Sequence, residues 1–122
     1  MAEARAVVHP TENEEKIIQA LLNIFPTASI LRNQGHVVAK IDSLKGLEKL
    51  RMMIRSRRIR TTVRSLLQKG RSNGRIVFYL NKQAAAIGKL SFYEKGEVMA
   101  LGPIEVIVET TQPNELINWL TE

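Results

Sequence analysis

The sequence predicts an α+β fold in which helices cover one face of a mostly antiparallel sheet. Three observations predict it. Short runs rich in Ile and Val at 36–41, 75–80 and 104–109 have the length and composition of strands. Apolar residues recur at helical spacing at 12–24 and again across 44–67. Strands and helices also come in blocks and hairpin-like groups. A parallel sheet would need them to alternate.

Each element has its own local cause. Ala4 to His9 reads as a first strand, ended by Pro10 and Thr11. Thr11 is placed to cap a helix, with Glu14 three residues later in the capping-box position. Glu12, Glu14 and Glu15 fall in the first turn, where the helix dipole favours acids. Ile17, Ile18, Leu21, Leu22 and Phe25 form an apolar stripe, so this helix spans about 12–24 and Pro26 marks its exit. Ser29 to Arg32 and His36 to Ile41 form a hairpin around Asn33-Gln34-Gly35, with Gly35 free to take positive φ. Asp42 or Ser43 is placed to cap the next helix.

Leu44, Leu47, Leu50 and Ile54 make one helical stripe, and Ile59, Val63, Leu66 and Leu67 make another. The two fall out of phase at Ser56-Arg57-Arg58, which predicts consecutive helices with a bend. Gly70 is a C-cap candidate. Ser72-Asn73-Gly74 is a turn, and Arg75 to Leu80 is a central, almost wholly apolar strand. Asn81 caps a short helical turn through Ala86. Lys89 to Tyr93 is a further strand, and Glu94 to Leu101 a polar loop. Ile104 to Glu109 alternates strictly, with one wet and one dry face. Pro113 starts a short helix carrying Leu116, Ile117 and Leu120. The expected order is β-α-β-β-α-α-β-(turn)-β-β-α, in one domain over 1–122 with no repeat or linker.

Several functions are disfavoured by what the chain lacks. Cysteine is absent, so disulfides, thiolate metal sites and cysteine nucleophiles are excluded. His9 and His36 have no spacing that suggests a metal site. No apolar run reaches membrane-spanning length, and the first residues do not resemble a secretory signal. A cytoplasmic protein with no membrane partner is expected. The phosphate-loop, dinucleotide, nucleophile-elbow and zinc-protease motifs are all missing. The acids at 12, 14 and 15 suit a helix start better than a catalytic pair. The expectation is therefore no enzyme, no cofactor, no metal and no small-molecule substrate.

Charge carries the functional signal. Between Lys49 and Tyr93 there are twelve basic residues and no acid, whereas the remainder holds six basic and twelve acidic. The middle segment is thus +12 and the rest −6, within a net charge of +6. Eight of those twelve are arginine, whose planar fork matches phosphate and stacks on bases. Arg51, Arg55 and Arg58 have the spacing of one helix face, and Arg60 and Arg64 of another, extended by Gln68 and Arg71. Like charges at such spacing repel. An anionic partner would relieve them, and structured RNA bound through its phosphates is the expected partner. Arg57, Arg75 and Lys82 can extend the track. The alternative is a solvated face neutralised by the acidic first helix, or by Glu105 and Glu109.

The aromatics add little at this stage. Phe78 and Tyr79 face opposite sides of a strand and Tyr93 ends another, so no paired stacking platform is expected. Phe25, Phe78, Phe92 and Trp119 read as core. A second functional class also fits: a homodimeric interaction module without nucleic acid. Its interface would be the strand from Ile104 to Val108, or the apolar strand around Phe78.

Several strings carry a family resemblance. They are RRIRTTVRSLL at 57–67, IVFYLNKQAAAIGKLSF at 76–92, LGPIEVIVE at 101–109 and ELINWL near the end, with VVHPTENEEKI and LLNIFP earlier. Together they resemble an archaeal family of uncharacterised small proteins predicted to bind RNA, over nearly the whole chain. The resemblance implies a fold similar to the large-subunit ribosomal protein five. It implies no catalytic residue. Asn81, Lys82 and Gln83 match its most specific string, and their side chains suit phosphate or base-edge contact. The other reading of that string has Asn81 capping a turn above packed alanines.

Overall fold

The computed structural model describes residues 1–94 and 101–122. Among them the order is β1 (Ala2–Val7), α1 (Glu14–Ile24), β2 (Ser29–Asn33), β3 (His36–Ile41), α2 (Glu48–Ser56), α3 (Arg60–Lys69), β4 (Arg71–Ser72), β5 (Arg75–Leu80), α4 (Lys82–Ala86), β6 (Phe92–Tyr93), β7 (Ile104–Glu109) and α5 (Pro113–Thr121). A 3-10 turn at Leu44–Leu47 leads into α2. The described strands form one sheet in the order β2-β3-β1-β7-β5-β4, with β6 also on β5, and their pairings are antiparallel.

Strand alternation gives this sheet a dry and a wet face. Ala2, Ala4 and Ala6 of β1, Ile76, Phe78 and Leu80 of β5, and Ile104, Val106 and Val108 of β7 are all buried. They join Leu21 and Ile24 of α1, Leu50 and Ile54 of α2, Val63 and Leu67 of α3, and Ile117 and Leu120 of α5 in one core. Burying each such Leu or Ile contributes about 1.5–3 kcal/mol relative to leaving it in water. The small alanines of β1 leave room there for the larger helix side chains. The opposite face carries Arg5, Lys40 and Arg75 exposed to solvent.

The expected α+β architecture is the one observed, and 36–41, 75–80 and 104–109 are strands with the expected bounds. Several local expectations are corrected. β1 begins two residues earlier, because Ala2 pairs with both Ile41 and Val108. The cap of α1 is Asn13 rather than Thr11: its side-chain oxygen accepts the Glu15 N–H at 2.9 Å. Glu12 therefore lies outside the helix. Ser43 holds the N-cap position of the 3-10 turn without a side-chain cap bond. The strand expected at 89–93 shortens to Phe92–Tyr93, and β4 was not anticipated. Most of the loop expected at 94–101 lies outside the described residues.

The bend between α2 and α3 falls where the stripes lose phase. Arg58 turns the chain there with φ 55, a left-handed conformation that costs a non-glycine residue about 1–2 kcal/mol. Gly70 is the C-cap of α3, as expected, and its φ of −85 is open to any residue. A close approach requires glycine here. The chain leaves α3 directly along β5, and the Val77 N–H donates to the Gly70 carbonyl at 3.0 Å. A Cβ at position 70 would stand 1.9 Å from the Val77 carbonyl oxygen. Gly70→Ala should therefore destabilise the protein by about 1–3 kcal/mol or more, as overpacking does. Urea unfolding of the variant beside wild type checks this; an unchanged midpoint would contradict it.

Candidate nucleic-acid interface

The arginines gather around α5. This helix buries Leu116, Ile117 and Leu120 and packs against both α2 and α3. Its outward ridge carries Asn114, Asn118 and Glu122, four residues apart and so one above another along the helix direction. Each meets guanidinium groups from the middle segment. Arg71 of β4 donates to the Asn114 side-chain oxygen. Arg64 of α3 donates to Asn118 Oδ1 at 3.1 Å. Arg51 of α2 donates to Glu122 Oε1 at 2.8 Å and to the Trp119 carbonyl at 2.8 Å. Arg55 reaches the backbone oxygen of Glu122 at a long 3.5 Å. At a rise of about 1.5 Å per residue, the row covers about 12 Å of helix.

Arg51 is the most constrained of the set. Its guanidinium carbon lies 5.0 Å from the centroid of the Trp119 ring. Such stacking contributes about 0.5–1 kcal/mol at a surface and more when desolvated. Trp119, expected as plain core, is partly buried against the core and also forms this platform.

Arg57, Arg58 and Arg60 continue the basic surface around the α2–α3 bend and are exposed. Arg58 does not extend the stripe of Arg51 and Arg55, because α2 ends at Ser56 and the left-handed turn redirects the chain. Arg71 lies on β4 and not on a continuation of α3. Arg75 starts β5 on the wet face, opposite Glu109 in register and without an ion pair to it. Among the described residues, Arg51 is the one arginine of this group paired with a carboxylate, and that carboxylate is itself exposed.

The acids of α1, one of the two expected sources of neutralisation, are engaged elsewhere. Glu14 and Glu15 pair with Arg32 at 3.5 and 2.8 Å. Glu3 accepts from Arg5 at 2.7 Å and from Lys40 at 3.4 Å on the wet face. Those two cations, with the Arg5 hydrogen bond foremost, hold the Glu3 carboxyl below its ordinary pKa against the opposing effect of burial.

The block Asn81-Lys82-Gln83 does not join this surface. It follows the far end of β5, about 20 Å from Arg75 at the rise of a strand. Asn81 Oδ1 accepts the Ala84 N–H at 2.9 Å and so caps α4, while its amide donates to the Tyr93 hydroxyl at 2.7 Å. Gln83 is exposed at this distant end. Lys82 requires a correction: it is only 5% exposed and is not available to a phosphate. Its Nζ donates to the Val7 and Leu101 carbonyls at 2.8 and 2.7 Å, and to both Glu12 oxygens at 3.1 and 3.3 Å. This ammonium ties the end of β1, the entry to α1 and the residue before Gly102 to α4. Charge counting along the sequence could not separate a buried lysine from a surface one.

Burial pushes the Glu12 carboxyl up. The His9 N–H bond and the Lys82 bond and charge together outweigh it, and the net shift is downward. A folded-state pKa below the unfolded value means stability that is complete above the ordinary carboxylate range. It is lost as the pH falls through the lowered value. Lys82→Met leaves Glu12 buried without its cation and should cost about 3–5 kcal/mol at neutral pH. Acidification should narrow the gap to wild type, because protonated Glu12 no longer needs a cation. Denaturant midpoints of both proteins at neutral and acid pH check this; a gap that widens in acid would contradict it.

The surfaces expected for a homodimer are also corrected. β7 lies between β1 and β5 with both edges bonded, and Ile104, Val106, Val108 and Phe78 face the core. Neither strand presents its apolar side to a second copy.

Sequence reading missed one feature. β4 and β6 pair with the same edge of β5, at Arg75–Ile76 and at Tyr79–Leu80. Between them they leave a cleft of about 490 Å³, closed on one side by the end of α3 at Leu66, Lys69 and Gly70. Tyr79 and Tyr93 are cross-strand partners on its wall. The sequence predicts no stacking platform from these aromatics; the structure makes the two tyrosines register partners. The alternation of 75–80 already put Tyr79 on the wet face, but a two-residue strand leaves no pattern from which to place Tyr93.

Fold and surface together define a small antiparallel α+β protein with a cationic helical edge. The chain belongs to the family whose model, described as RNA binding, matches residues 1–110, and to the archaeal UPF0201 proteins. It is 41% identical over 121 residues to a UPF0201 protein of Sulfolobus acidocaldarius, covering 95% of this chain and 83% of that one. Over 122 residues it is 37% identical to a UPF0201 protein of Thermococcus kodakarensis, covering 97% and 86%. A crystal structure of a UPF0201 protein from Methanococcus jannaschii matches with a TM-score of 0.84 at 31% identity, covering 98% of this chain and 91% of that one.

Proposed function

We propose that the protein binds structured RNA through its phosphate backbone, using the arginine surface of α2, α3, β4 and β5. The observation that carries this reading is the row of guanidinium groups along the outer ridge of α5. Arg51, Arg55, Arg64 and Arg71 are steered there by two neutral amides, one exposed carboxylate and the backbone oxygens of Trp119 and Glu122. An asparagine holds a guanidinium in place through one oxygen and leaves its charge intact. Arg57, Arg58 and Arg60 widen the same surface, and Arg75 stands next to it on the wet face of the sheet, paired in register with Ser72 beside Arg71.

Arg58 adds a separate argument. Glycine takes its left-handed turn more cheaply, so a charged side chain kept there at an energetic cost points to a role for that charge. The family description supports RNA as the polyanion. The likeness to ribosomal protein five implied by the family resemblance favours a structured RNA.

About six phosphates neutralised by this surface would make log K fall against log salt with a slope of about −4 to −5. Arg55→Glu with Arg64→Glu should weaken binding whatever the RNA sequence, and flatten that slope by about 2. Thermal unfolding should stay close to wild type, because both side chains are exposed. Filter binding of an RNA hairpin over a salt series measures all of this. Flat salt dependence, or undiminished binding by the double reversal, would overturn the assignment.

A further inference from the structure

The cleft between β4 and β6 is separate from the arginine row but meets it at Arg71, which both lines the cleft and bonds Asn114 of α5. We infer that it receives an unpaired nucleobase of the bound RNA, stacked on Tyr79 and Tyr93, with the adjoining phosphate held by Arg71 and Arg75. This inference rests on the RNA-binding reading and names a second mode of contact within it.

Four observations carry it. First, Tyr79 and Tyr93 lie directly opposite each other across β5 and β6 and are only partly buried. Phe92, the neighbour of Tyr93, faces the other way, with its ring 5.7 Å from that of Phe78. That contact holds the two-residue β6 in register and leaves Tyr93 on the cleft side. Second, the Tyr93 hydroxyl accepts the Asn81 amide at 2.7 Å, which restrains the ring before any ligand arrives. A fixed aromatic loses little entropy on binding.

Third, Val77 and Ile107 are register partners that also line the cleft, giving it an apolar floor beside the rings. A base has a large apolar face and a polar edge, and it needs both kinds of surface. Fourth, the rim is cationic and mixed in the way a nucleotide requires. Lys69, Arg71 and Arg75 line it, with Lys69 3.8 Å from Glu94. Glu105 stands between Tyr79 of β5 and Arg5 of β1 in register, lines the cleft, and lies near enough to Arg5 for their charges to interact. A carboxylate there would repel a phosphate but accept a hydrogen bond from the exocyclic amino group of a base. The arginine side therefore takes the phosphate, and the Glu105 side takes the base edge. Adenine, cytosine and guanine offer the amino donor; uracil presents carbonyl oxygens instead.

The test uses the whole chain with oligoadenylate, oligouridylate and a blunt-ended RNA duplex, read by fluorescence anisotropy. Tyr79→Leu and Tyr93→Leu should each weaken oligoadenylate binding about tenfold, the size of a lost base stack, and leave duplex binding unchanged. Tyr93→Phe keeps the ring but loses the Asn81 restraint, and should bind oligoadenylate more tightly than Tyr93→Leu and less tightly than wild type. Wild type should prefer oligoadenylate to oligouridylate, and Glu105→Gln should shrink that preference. If a leucine variant folds poorly, wild type still decides the matter: the ring resonances of Tyr79 and Tyr93 should shift on adding oligoadenylate. Leucine variants that bind oligoadenylate as wild type does, or rings that do not respond, overturn the cleft and leave the arginine surface standing. Wild type that binds neither the duplex nor the oligonucleotides overturns both.

Discussion

The docking of α5 against α2 and α3 sets where the charges go. Leu116, Ile117 and Leu120 turn inward, which leaves Asn114, Asn118 and Glu122 on the outer ridge. Leu50 and Ile54, and likewise Val63 and Leu67, hold α2 and α3 beside it in the same core. A helix with its apolar side inward has its opposite side in water, and on α2 and α3 that side includes Arg55, Arg60 and Arg64. The placement of the guanidinium groups thus follows from how the apolar residues pack. The hydrogen bonds to α5 then trim their directions. Such bonds between exposed partners add little stability. Their effect is to restrict the conformations of long side chains before a ligand binds.

The charges of the molecule fall into two kinds by environment. Arg5 meets Glu3 within β1, Lys40 meets Glu3 across strands, and Arg32 meets Glu14 and Glu15 of α1. They belong to the half of the protein where acids and bases are mixed in sequence. The middle segment has no acids of its own, and the fold brings it few. Glu122 is one, shared by Arg51 and Arg55 through different oxygens. Lys82 is the exception within the segment, because its neighbours in space are Glu12 and two carbonyls from distant parts of the chain.

Much of the architecture was legible because its causes are local. Periodicity marked the apolar faces, the phase slip at 56–58 marked the bend, and Asn81 capped its helix as its side chain suggests. The departures have causes distant in sequence. β1 reaches Ala2 because β3 and β7 flank it there. Gly70 reads as a C-cap and is one, but the need for glycine there comes from the Val77 carbonyl, which no local pattern reveals. At the site, the run of arginines was legible and their arrangement along α5 was not. Asn114 and Asn118 carry no charge and drew no notice in a reading based on charge. The Tyr79–Tyr93 pair depended on a two-residue strand. Lys82 was misassigned because a sum over the sequence treats every cation as exposed.

The arginine surface can be read residue by residue through the side-chain Nε–H resonances of isotopically labelled protein, titrated with an RNA hairpin at low salt. Arg55, Arg57, Arg58, Arg60, Arg64 and Arg71 should shift or broaden together. Arg5 and Arg32, held by glutamates on other faces, should stay still. Perturbation centred on Arg5 and Arg32, or spread evenly over every arginine, would contradict a single basic surface organised around α5.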